Sequence, residues 1–228
     1  MTLDDGECIG RARVPDGVEL RLIRCDDEFS IVLEDNELMS TRVSASEIAL
    51  ATMTSDRLGL RHASEWLIGG YGMGFTLRAA LAELEGDACV TVAEIVPEII
   101  QWARGPMAEL TAGCLDDPRV MLVDEDVATL INAAIESYDA ILLDVDNGPE
   151  GLTRGQNDYL YSPRGLAAAR RALKDDGILA VWSCEPDTHF PVKLREAGFE
   201  VAEMQVHDGH KDDADIHVLW FARKRAVA

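Results

Sequence analysis

A chain of 228 residues has the length for one full α/β core and a small appendage, but not for two large independent domains. Asp and Glu number 42 against 21 Lys and Arg, a formal net charge of -21; such a surface repels phosphate backbones, so no nucleic-acid partner is expected, whereas cationic small molecules are tolerated or attracted. There is no apolar run of the ~18 residues that a spanning helix needs and no basic leader before an apolar stretch, so a cytoplasmic protein without a membrane partner is expected.

The five cysteines, Cys8, Cys25, Cys89, Cys114 and Cys184, are scattered and odd in number, and the five histidines lack ligand spacing. Neither a metal site nor a disulfide framework is therefore expected. From the amino terminus, the first 15 residues show little periodicity and are read as loosely held. Residues 18–24 and 28–34 alternate apolar and polar side chains about the sequence CDD, which predicts a hairpin with Leu20, Leu22, Ile31 and Leu33 on its buried face. A turn at Asp35 and Asn36 leads into ELMSTR. Residues 1–43 are thus read as a β appendage and 44–228 as the main domain. The appendage is placed either at a homodimer interface or over its own subunit's pocket. Ser44 and Glu47 have the spacing of a capping box, so Glu47 either starts a helix or meets a ligand. Met39 and Met53 are read as packing residues.

The stretch WLIGGYGMG at 66–74 carries Gly69, Gly70, Gly72 and Gly74 out of a short apolar run and into a helical pattern over 76–84. Strand, glycine turn and helix is how α/β sheets build a nucleotide-sized pocket; the plainer reading is a turn that packs the helix on the sheet. Residues 89–95 form the next predicted strand, which presents Glu94 about 20 residues beyond the glycines, where a carboxylate accepts from ribose hydroxyls. A helix starting at Pro97 is predicted to bury Ile100, Ala103, Met107 and Leu110. The strand over 119–123 ends in DED before a helix over 127–135. Asp126 is placed to accept from an adenine amino group and Val127 to offer its amide to a ring nitrogen, unless DED is only a polar turn. Asp124 and Glu125 are read as dispensable.

Residues 138–145 read as the central strand, apolar enough to be buried on both faces, delivering Asp144 and Asp146 at the carboxyl end where open α/β sheets bind ligands. The following NGPEGLTRGQNDYLYSPRG is a predicted substrate loop, with its turn set by Asn147, Gly148 and Pro149 and anchors at Asn157 and Tyr161. Tyr159 is read as packing, and Arg154 as an anion contact or a surface group. A helix over 166–173, a turn at KDDG, a strand over 178–183 and a helix beginning at Pro191 follow. Strands over 201–206 and 216–222 then make a terminal β-hairpin on an otherwise parallel sheet.

LIGGYGMGFTLRAAL, VTVAEIVPEIIQW, YDAILLDVDNGPEGLT and NDYLYSPRGLAAARRALKDDGILAVWS together resemble the spermidine synthase-like branch of the class I S-adenosylmethionine-dependent methyltransferase fold, from about Leu38 to the end. The resemblance implies a Rossmann-like α/β fold with a mostly parallel seven-stranded sheet, the terminal hairpin and the small N-terminal β appendage. It also implies a transferase of polyamine biosynthesis that moves an aminopropyl group from decarboxylated S-adenosylmethionine to a small-molecule amine without a metal. Methyl transfer from intact S-adenosylmethionine, and nucleoside binding without catalysis, are the alternatives. In that branch the DSSDP motif places its first aspartate on Asp144 and its second on Asn147. The YHE motif overlies Ala45, Ser46 and Glu47 and keeps only the glutamate; a later glutamine falls near Trp182. The implied site therefore has Asp144, Asp146 and Glu47 at the chemistry and Asn147, Tyr161 and Trp182 at the acceptor. Gly69, Gly70, Gly72, Gly74, Glu94, Asp126 and Val127 surround the nucleoside.

Overall fold

The computed structural model describes residues 6–15, 17–34, 36–145, 157–207 and 216–226. β1 (Glu7–Arg13), β2 (Glu19–Cys25), β3 (Glu28–Leu33) and β4 (Asn36–Ser40) form a four-stranded antiparallel sheet in that order. The expected hairpin is β2–β3, turning at Asp26 and Asp27, with Leu20 opposite Leu33 and Leu22 opposite Ile31. The loosely held amino terminus is corrected: β1 pairs with β2 along its length. A register shift between Cys8 and Gly10 breaks the alternation that would have marked it as a strand.

α1 (Ala45–Leu58) leads to β5 (Glu65–Gly69), α2 (Phe75–Glu83), β6 (Cys89–Ala93), α3 (Pro97–Arg104), the single turn α4 (Ala108–Thr111), β7 (Val120–Val123), α5 (Val127–Ala133) and β8 (Tyr138–Leu143). The chain continues through α6 (Pro163–Ala172), β9 (Leu173–Ser183), α7 (Phe190–Glu196), β10 (Glu200–His207) and β11 (Ile216–Arg223). The seven-stranded sheet has the order β10-β11-β9-β8-β5-β6-β7. β5 to β9 run parallel, and β11 is antiparallel to both β9 and β10. This is the expected α/β arrangement with its terminal strand pair.

The central strands are mostly apolar because both of their faces are covered. Trp66, Ile68, Ala140 and Leu142 face one core with Leu50 of α1, Leu77 of α2 and Trp102 of α3. Leu67, Ile141 and Leu143 face the other with Ile131 of α5, Leu166 of α6 and Phe190 of α7. The first core also takes in Leu20, Leu22, Ile31 and Leu33, so the small sheet is packed on the large one's helical layer. Among the described residues no helix is long and apolar enough to cross a membrane.

Three local expectations are corrected. The Ser44 side chain makes no cap hydrogen bond, so the Ser44/Glu47 spacing does not form the capping box. Instead Ser46 Oγ donates to Glu47 Oε2 at 2.8 Å and both residues are buried. The helix from Pro97 stops at Arg104, before Gly105 and Pro106, and its buried face is Ile99, Trp102 and Ala103 rather than one continuous stripe to Leu110. Tyr159 is not merely packing: its hydroxyl lies 2.6 Å from Asn132 Oδ1, to which it donates.

Candidate functional site

The carboxyl ends of β5, β6, β7 and β8 converge under the small sheet. At the end of β5 the chain turns through Gly70, Gly72 and Gly74, with φ of 82°, 55° and 78°, a region that side-chain-bearing residues rarely enter. At Gly70 the need is also steric: a Cβ there would lie 2.5 Å from the Asp144 carbonyl oxygen. The glycine turn is therefore seated directly on the end of β8.

Glu94, just beyond β6, holds this turn from the other side. Its Oε2 accepts from the Tyr71 amide at 2.9 Å and its Oε1 from the Val96 amide at 2.8 Å. Burial pushes its carboxyl above the usual range, while the amides of Tyr71, Val96, Ile95 and Gly72 stabilise the ionised form and oppose that rise. Glu94 fastens the turn in place and, because each carboxylate oxygen has a second lone pair, can still accept from a ligand at the cavity.

Asp144 follows β8, where its Oδ2 accepts from Thr76 Oγ1 at 2.7 Å. The residue is half-buried because it borders the cavity, but its carboxyl lies deep among protein atoms, which pushes its pKa up to about 6 against the opposing Thr76 bond. Asp126 is the N-cap of α5, its Oδ1 accepting from the Ala128 amide at 2.8 Å. Here too one oxygen is committed to the fold.

Glu47, Gly70, Gly72, Glu94, Asp126, Val127, Asp144 and Trp182 line one cleft of about 1100 Å³, a figure that includes its open mouth. Gly69 and Gly74 sit one layer back. A Cβ at Gly69 would press on Val127 at 3.0 Å, and one at Gly74 on the Tyr71 hydroxyl at 2.6 Å. Tyr161 is buried in the second core, edge-on to Phe190 with ring centroids 5.6 Å apart, and the structure does not bring it to the cleft wall. Asp146 and Asn147, like Arg154, lie outside the described residues.

Sequence reasoning left the roof as one of two placements for the appendage and passed over one acid. Val14, Leu20, Ile31, Leu33, Leu38 and Met39 close the cleft from the small sheet. Met39, read as packing, accepts the Met73 amide on its sulfur at 3.2 Å. Glu125 also borders the cleft. The inward-facing alternation of the hairpin was the available signal for the roof; Glu125 carried none beyond its neighbours' charge. Among the described residues the wall thus has five carboxylates and no Lys, Arg or His.

Comparison with known proteins gives the family and the fold. The family profile described as the spermine/spermidine synthase domain matches residues 59–192. The chain belongs to that family. The polyamine aminopropyltransferase 1 of Streptomyces coelicolor is 33% identical over 151 residues, which are 63% of this chain and 28% of that protein. The polyamine aminopropyltransferase of Pyrobaculum calidifontis is 32% identical over 116 residues, 50% of this chain and 39% of that one. The spermine/spermidine synthase family member described here thus spans well under half the length of these curated relatives. Among solved structures, spermidine synthase from Thermotoga maritima aligns with a TM-score of 0.75 at 19% identity, over 95% of this chain and 72% of that one. A spermidine synthase in complex with the transition-state analogue AdoDATO gives 0.74 at 18%, with the same coverage. These likenesses are of fold.

Proposed function

We propose that this cleft binds decarboxylated S-adenosylmethionine and a small amine, and that the protein transfers the aminopropyl group between them. The observation that carries this reading is the wall of five carboxylates without a basic residue among the described residues. The glycine-turn amides are also taken: Gly70 donates to Ala93 O, Tyr71 to Glu94, Met73 to Met39 and Gly74 to Tyr71 O. A donor that kept its carboxylate would bring an anion into this wall with neither a counter-charge nor an open amide cage among the described residues. One whose tail ends in an amine is matched by it.

A sulfonium donor supplies an activated carbon and a neutral thioether leaving group. In this reading Gly70 leaves room for the nucleoside, Glu94 accepts from ribose hydroxyls with its remaining lone pairs, and Asp126 and Val127 border the base. Asp144 orients the acceptor amine so that its lone pair faces the carbon, and accepts the proton released as nitrogen gains its new bond. A pKa pushed up to about 6 by burial suits that task better than an ordinary aspartate would. Glu47 adds negative charge beside the incoming cation. Residues 1–43 then serve as roof and 44–228 as the catalytic unit.

Mass spectrometry after incubation with either donor and a mixed amine panel tests this. An adduct heavier by one aminopropyl group, formed with the decarboxylated donor and lost in Asp144→Asn while methylthioadenosine still binds, is the expected result. A methylated product from the intact donor, or nucleoside binding without turnover under either donor, would replace the proposal.

A further inference from the structure

We propose that Met39 is a specificity-determining residue that keeps carboxylate-bearing donors off the glycine turn. This inference rests on the reading of the cleft as a sulfonium-nucleoside site. Met39 belongs to β4 of the small sheet, yet its side chain crosses to the turn between β5 and α2. Its sulfur accepts the Met73 amide at 3.2 Å. Its terminal methyl and sulfur fill the space over Gly72, lying 2.6 and 2.7 Å from where a Cβ on that residue would be. Both residues line the cleft.

The position matters because of what lies on either side. The Tyr71 amide is on Glu94, and Gly70 rests against the Asp144 backbone. A donor tail running from a ribose at Glu94 towards Asp144 therefore passes the Gly72–Met39 contact. Of the turn's amides, Gly70, Tyr71 and Gly74 donate to oxygen and Gly72 also faces Glu94. The Met73 amide is held by a thioether, a weak acceptor that any carboxylate oxygen would outcompete if it could reach. Met39 prevents that reach by bulk. A tail without a carboxylate has no use for the amide and loses nothing.

The test is calorimetric titration of the full chain with S-adenosylhomocysteine, whose tail carries a carboxylate, and with methylthioadenosine, whose tail does not. The wild-type protein is expected to favour methylthioadenosine. Met39→Ala is expected to raise relative affinity for S-adenosylhomocysteine by about tenfold, the worth of one charge-assisted hydrogen bond. Met39→Leu keeps the bulk and is expected to hold the wild-type ratio; melting curves establish that both variants fold. An unchanged ratio in Met39→Ala, or the same gain in Met39→Leu, overturns the role of Met39 alone. Failure of the wild-type protein to bind either nucleoside overturns the underlying reading of the cleft, and this inference with it.

Discussion

Thr76 Oγ1 lies 2.7 Å from Asp144 Oδ2, so a single hydroxyl in the first turn of α2 donates to the acid at the end of β8. The same oxygen is 3.4 Å from the Glu47 carbonyl oxygen, which brings the start of α1 to the same point. Three elements far apart in the sequence are joined there. Because the hydroxyl favours the ionised carboxylate, Thr76→Val is expected to raise the Asp144 pKa above its value of about 6. A hydrogen bond to a charged group is worth ~1.5–3 kcal/mol, hence roughly one to two pH units. In the proposed reaction, the acid limb of the kcat/KM profile should move up by that amount, with activity at high pH largely kept. An unmoved limb would mean that Asp144 is not the group whose ionisation is being read.

The raised pKa of Asp144 also sets a stability window. The folded chain holds its proton up to about pH 6, whereas the unfolded chain releases it near the ordinary aspartate value of 3.8. Stability from this group is therefore full below about pH 4 and is lost as the pH rises through about 6. Asp144→Asn does not titrate and can still accept from Thr76. It is expected to be more stable than the wild type at pH 8, by an amount on the order of 1–3 kcal/mol, with the gap closing towards pH 4. Denaturant melts at the two pH values measure it; a constant gap would assign the difference to packing instead.

Glu94 distinguishes a structural fastener from a pure ligand contact. Each of its oxygens accepts a backbone amide, one from the glycine turn and one from its own loop. Glu94→Gln replaces one acceptor with an NH2 that faces an N–H, leaving two donors opposed in a buried place. Stability without any ligand should fall by ~1–3 kcal/mol, the cost of an unsatisfied buried polar group. If the melting temperature of the ligand-free variant matches the wild type, the amide contacts contribute nothing and the residue serves ligands only.

Much of this site was legible because its parts are local in sequence. Glycines after an apolar strand, Glu94 at the next strand end and Asp144 at a third each stand where chain topology, not distant packing, decides their place. The roof was harder. Leu20, Leu22, Ile31 and Leu33 could be assigned a buried face, but what that face covers depends on how the small sheet docks, which no local period encodes. Glu94 and Asp126 illustrate a second limit: acid at a strand end is visible, whereas the amides that already occupy it are not. Tyr161 shows a third, since an aromatic in a polar-looking loop was drawn into the core beside Phe190.

The docking of that small sheet can be tested at Gly10. It lies at the irregular register of β1, where a Cβ would sit 2.5 Å from Trp102 Nε1 and 2.8 Å from Trp102 Cε2. Trp102 belongs to α3 and is itself buried in the core that both sheets share. An indole held on several sides cannot retreat as the end of a flexible chain would, so Gly10→Ala must push β1 away from α3 or force the ring off its rotamer. Overpacking of this kind costs ~1–3 kcal/mol. Because β1 is hydrogen-bonded to β2, which carries Leu20 into the cleft, the displacement should also loosen the roof and weaken methylthioadenosine binding several-fold. Gly17→Ala, in the turn between β1 and β2, is the control for the cost of losing a glycine without a clash: it has a φ of 89° but nothing within 4 Å of the added Cβ, and its effect should stay confined to stability. Calorimetric titration beside thermal melts separates the two. Equal losses of binding in both variants would show that the Gly10–Trp102 contact does not transmit anything to the cleft.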